Sequence, residues 1–137
     1  MTDISLDELA FFDAKREALP LYLALRERLL KARPDTRIEV RKTQISFKNR
    51  RLFAAVSFLP ARRAALRPQN FLTLSLCLRE PISSPRVDGS VETYPGRWTQ
   101  HILMDASQTP DEELVAWLLR ASDEANARPG KTPGTEA

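Results

Sequence analysis

Between Arg37 and Met104 the apolar residues fall at every second position, in one short run after another. Ile38 and Val40 alternate with Arg37, Glu39 and Arg41, and Ile45 and Phe47 alternate with Gln44, Ser46 and Lys48. Leu72, Leu74, Leu76 and Leu78 alternate with Phe71, Thr73, Ser75 and Cys77, and Trp98, Gln100, Ile102 and Met104 with Thr99, His101 and Leu103. A period of two sends successive side chains to opposite faces, so each run reads as a half-buried strand. Leu52–Phe58 is a fifth strand, apolar on nearly both faces. Asn49-Arg50 reads as a tight hairpin turn, because Asn tolerates positive φ. Pro81–Gly96 is rich in turn formers and reads as a connection across the sheet edge.

Helical patterns bracket this region. Ser5 with Glu8 has capping-box spacing, and Leu6, Leu9 and Phe12 supply an apolar stripe behind it. Pro20 is tolerated in a first turn, and Leu21, Leu25 and Leu29 share a face, which predicts a second helix over about 20–31. Thr109-Pro110-Asp111-Glu112 predicts a third helix with Thr109 as its cap, and Leu114, Trp117, Leu118 and Ala121 as its apolar face. The expected order is α-α-β-β-β-β-β-α. Consecutive strands with helices at the chain ends make this an α+β fold: an antiparallel sheet of about five strands with helices packed on one face. The 137 residues suit one domain, expected over 1–127, with a disordered tail at 128–137 that lacks any large apolar anchor.

Composition excludes several classes of function. No apolar run approaches the ~20 residues of a membrane span, and the acidic start lacks the layout of a signal peptide, so a soluble cytoplasmic domain is expected. One Cys and one His make neither a disulfide framework nor a Cys/His zinc site. The four glycines form no phosphate cradle, and no cofactor is expected. Cys77, in a leucine-rich strand, reads as a buried, inert thiol.

Charge is distributed unevenly. Arg33–Arg67 holds ten basic residues against Asp35 and Glu39, a net +8. The rest of the chain, with 11 basic and 16 acidic residues, carries −5. Such a basic region suits an anionic partner, with nucleic acid the leading candidate. The predicted contacts are the hairpin residues Lys48, Arg50 and Arg51, with Arg41 and Lys42 nearby in sequence. The alternative is a small-molecule or protein-interaction domain, with a polar pocket around Lys42, Gln44, Arg97 and His101. His suits proton transfer near neutral pH, but no triad layout can be placed around His101, and no catalytic residue is assigned.

The stretch Arg41-Lys42-Thr43-Gln44-Ile45-Ser46-Phe47-Lys48-Asn49-Arg50-Arg51-Leu52-Phe53-Ala54, with Tyr94-Pro95-Gly96-Arg97-Trp98-Thr99-Gln100-His101, resembles a bacterial family, number 5655 of the domains of unknown function. The resemblance covers about 19–125. It carries no assigned activity, and its members' association with nuclease-like domains points toward nucleic acid. Trp98 and the helix opening Asp111-Glu112-Glu113-Leu114 also resemble the MmcQ/YjbR-like proteins, which implies a small α+β fold proposed to bind DNA.

Overall fold

Helix α1 (Leu6–Phe11) starts where its capping signature places it. The Glu8 N–H donates to Ser5 Oγ (3.1 Å), and the Ser5 N–H donates to Glu8 Oε1 (2.9 Å). The computed structural model describes residues 4–126, so the tail expected at 128–137 lies outside the described residues. Of the expected apolar stripe, only Phe12, at the end of α1, is buried. Leu6 is 83% exposed and Leu9 is exposed, whereas Glu8 is buried. The reason lies in helix α2 (Leu19–Ala32), where the Tyr22 hydroxyl and the Arg26 Nε both donate to Glu8 Oε2. A carboxylate can be buried here because three sets of donors offset the loss of its hydration.

Strands β1 (Arg37–Val40), β2 (Gln44–Lys48), β3 (Leu52–Ser57), β4 (Phe71–Leu78), β5 (Gly89–Tyr94) and β6 (Arg97–Asp105) form one antiparallel sheet in the order β1-β2-β3-β4-β6-β5. The sixth strand, β5, lies inside the stretch read as a turn-rich connection. It is an edge strand, and Ser90 to Tyr94 are all exposed, so no face of it needed apolar alternation and the periodicity gave no signal.

The inner face carries Ile45, Phe47, Val56, the even-numbered leucines of β4, Ile102 and Met104. Leu21, Leu25 and Leu29 of α2 close over it, with Leu114, Leu118 and Ala121 of helix α3 (Glu112–Asn126). A bulge lets Phe53 join Ala54 opposite Phe47, which turns both apolar groups inward. Trp117 lies at the rim of this core and not over its centre. It is half-buried, with the Arg86 guanidinium 5.6 Å from its ring centroid.

Helix α3 begins two residues later than expected. The Leu114 N–H donates to Asp111 Oδ1 (2.9 Å) and the Val115 N–H to the Asp111 carbonyl (3.0 Å), which makes Asp111 the cap. A carboxylate answers both the unpaired N–H groups and the positive helix end, and Arg86 holds it from the side at 3.0 Å. Asp111→Ala is therefore expected to cost about 1 kcal/mol in thermal denaturation. Thr109→Ala is expected to leave stability unchanged, and the reverse order of effects would return the cap to Thr109.

Candidate functional site

The face of the sheet turned away from α2 and α3 is polar. Cα partners in adjacent strands share a face, and one row crosses all six strands: Glu39, Ser46, Ala55, Ser75, His101 and Gly89. Small side chains fill its centre. The expected site residues separate to the two ends of this face.

One end is basic. Arg37 pairs with Lys48, and Lys48 with Leu52, at the β2–β3 hairpin. Arg37 Nη2 donates to the Asn49 carbonyl (2.5 Å). From the far side, Arg97 Nη2 donates to the Leu52 carbonyl (3.3 Å), with its guanidinium 5.8 Å from the Tyr94 ring centroid. Both cations thus lie on the hairpin that carries Lys48, Arg50 and Arg51. Arg50 is exposed, and Arg51 keeps a buried Nε with no hydrogen-bond partner. The hairpin is rigid because Asn49 is buried and its Nδ2 donates to Ser122 Oγ of α3 (2.9 Å). No non-glycine residue described has positive φ, so Asn49 serves this buried bond and not a left-handed turn.

Other members of the basic stretch are neutralised by acids, two of them distant in sequence. Arg33 pairs with Asp123 (2.9 Å), Arg62 with Asp88 (2.9 Å), and Arg41 with Glu39 (2.7 Å). Glu39 also lies 3.6 Å from Lys48. The ten cations therefore do not form one surface.

The opposite end is a cavity of about 660 Å³. The Arg41–Gln44 turn, the end of β3 and the segment after α1 enclose it. Lys42, Gln44, Ser57, Ser75 and His101 supply polar groups, and Phe11, Phe58 and Leu59 an apolar wall. Lys15 stands at the same wall, its Nζ 5.6 Å from the Phe58 ring centroid. Gln44 Nε2 donates to Ser46 Oγ (2.8 Å). His101 Nδ1 shares a hydrogen bond with Ser75 Oγ (2.7 Å), in which either atom can donate. Burial holds the imidazole below its ordinary 6.5, so it is neutral at pH 7. Lys42, Gln44 and His101 line this cavity together, whereas Arg97 stands with the hairpin. Cys77, expected buried, is half-buried on this outer face.

A family model described as Domain of unknown function (DUF5655) matches residues 9–125. The chain belongs to the DUF5655 family. Neither the curated proteins nor the solved structures include a match to it. In this DUF5655 chain the Lys42–Phe47 segment forms the cavity turn and most of β2, and Pro95–Thr99 forms the β5–β6 turn and the start of β6. Gly96, with φ 77°, occupies the left-handed position that this turn requires. Among the described residues of the DUF5655 chain, no group of three or more His, Cys, Asp and Glu could hold a metal ion. No helix there is long and apolar enough to cross a membrane.

Four contributors had no usable signal in the sequence of this DUF5655 chain. Ser75 meets His101 because β4 pairs with β6 and passes over β5. Phe11 and Lys15 reach the cavity only through the way α1 docks on α2. Arg37 was counted as basic, but its bond to the Asn49 carbonyl depends on the β1–β2 register.

Proposed function

We propose that this chain is a non-enzymatic binding module whose basic hairpin end contacts an anionic partner, and that the partner is nucleic acid. The observation that carries this reading is the bracing of the β2–β3 hairpin by Arg37 and Arg97. It groups five cations, Arg37, Lys48, Arg50, Arg51 and Arg97, at one end of a rigid sheet. Arginine suits phosphate because its planar fork can bind two oxygens at once.

Contacts of this kind read the phosphate backbone and not base sequence, so low specificity is expected, with Kd about 10⁻⁴–10⁻⁶ M. Fluorescence anisotropy with labelled single- and double-stranded DNA and RNA at low salt tests it. Replacing Arg50 and Arg51 with Ala should weaken binding and flatten the dependence of log K on log salt by about 0.9 per lost phosphate contact. Arg97→Ala should act in the same direction, although it lies 46 residues away in sequence. The melting temperature of the single Arg50→Ala variant should stay unchanged, because that side chain is exposed and exposed charges contribute little to stability. Absence of wild-type binding near ~100 μM, above most of the non-specific range, would overturn the reading.

A further inference from the structure

The cavity at the other end of the outer face has the makings of a second, separate site. Its floor is polar and its wall aromatic, and it is the size of the clefts that hold small ligands. Its lining carries two lysines and no carboxylate. His101 Nε2 has no hydrogen-bond partner among the described residues, and it is not sealed from solvent. Gly89 lies opposite His101 in β5, so no side chain covers the ring from that strand, and an added Cβ would sit 3.5 Å from His101 Cδ2.

We propose that this cavity binds a small organic anion with an apolar body, its charged head taken by Lys15, Lys42 and His101 Nε2 and its body lying against Phe11, Phe58 and Leu59. A carboxylate, sulfonate or phosphate ester shares this chemistry. Seating such an anion draws a proton onto His101. Ser75 makes the charged ring tolerable: its hydroxyl donates to Nδ1 when the ring is neutral and accepts from Nδ1–H when the ring is charged, so the ring keeps its orientation in both states.

The groups around the ring leave no competing counter-ion in the cavity. The ring bonds Ser75 of β4 and lies opposite Gly89 of β5, and the cavity it lines is completed by Ser57 of β3, by Lys42, Thr43 and Gln44 of the β1–β2 turn, and by Lys15 after α1. Asp88, whose N–H donates to the His101 carbonyl, gives its carboxylate to Arg62 and the Leu103 N–H. An incoming anion therefore raises the pKa of a ring that burial had depressed. Linkage then requires affinity to rise as pH falls between the bound and free pKa values, approaching ~10-fold per pH unit.

The probe is 1-naphthalenesulfonate, whose charge does not titrate between about pH 5 and 8, where a histidine changes charge. Its binding is followed by fluorescence, with the imidazole Cε1–H resonance of His101 read by NMR. The expected result is saturable binding that tightens as pH falls, with the His101 titration displaced upward by the probe. His101→Gln should abolish the pH slope. Lys42→Ala should weaken binding at every pH with the slope kept, and Ser75→Ala should weaken it while the protein stays folded. Replacing Arg50 and Arg51 should leave probe binding unchanged, which separates this site from the hairpin. A pH-independent affinity that His101→Gln does not alter would overturn the role of His101. Binding indifferent to Lys42→Ala and His101→Gln alike, or no saturable binding, would overturn the site.

Discussion

Glu8→Ala is expected to destabilise the domain by about 3–5 kcal/mol, the cost of breaking a buried ion pair from one side. Glu8 and Arg26 side chains are only 3% and 8% exposed, with Arg26 Nε 2.8 Å from Glu8 Oε2. Removing the carboxylate takes the Glu8 bonds away from the buried Arg26 guanidinium and leaves the buried Tyr22 hydroxyl without its acceptor. Glu8→Gln keeps an acceptor and should cost less, nearer the ~1–3 kcal/mol of an impaired buried hydrogen bond.

The same group sets an acid limit. Burial pushes the Glu8 carboxyl up, but bonds from the Tyr22 hydroxyl, the Ser5 N–H and the Arg26 guanidinium outweigh it and hold it below the ordinary 4.5. The unfolded chain then binds this proton more readily than the folded one. The contribution is complete above 4.5 and is lost as pH falls through the lower folded value. Urea denaturation across the acid range should show this slope in wild type and its loss in Glu8→Gln. Equal stability of wild type and Glu8→Ala at neutral pH would show that the buried pair does not fasten α1.

Phe47→Ala should cost a similar ~3–5 kcal/mol, for a different reason. The Phe47 ring is fully buried, stacked between Tyr22 of α2 (centroids 6.4 Å apart) and Phe53 of β3 (6.5 Å). Truncation opens a cavity where helix and sheet meet, and the rings on both sides are too constrained by their own packing to fill it. Phe47→Leu retains much of the volume and should cost less. Equilibrium urea unfolding gives both values, and a loss below ~1 kcal/mol for the alanine variant would place the ring outside a packed core.

Those two residues show what the sequence disclosed and what it hid. Phe47 is legible from alternation alone, because a sheet with one covered face imposes a period of two on every central strand. The same rule assigns the β4 leucines inward and Ser75 and His101 outward. Glu8 is legible as half of a capping box, but not as a buried anion, because its other partners lie in a helix it meets only in three dimensions. Edge strand β5 escaped for the complementary reason: with its side chains in solvent, nothing constrained their pattern. The candidate site was legible by composition and not by place. Lys42, Gln44 and His101 do share a cavity, but Arg97 went to the hairpin, because strand parity gives the face of a residue and not its position along the sheet.

The docking of α1 also bears on where this domain can be cut. The match to the family begins at residue 9, one position past Glu8. A chain trimmed to that boundary would keep Phe11 and Lys15, which line the cavity, and lose the carboxylate that anchors their helix. The trimmed chain would lack the bonds that Glu8 accepts from Tyr22 and Arg26 of α2. The contacts that hold the first helix to the domain therefore begin upstream of the region that sequence similarity delimits, with Ile4 against the core and Glu8 beneath Tyr22 and Arg26.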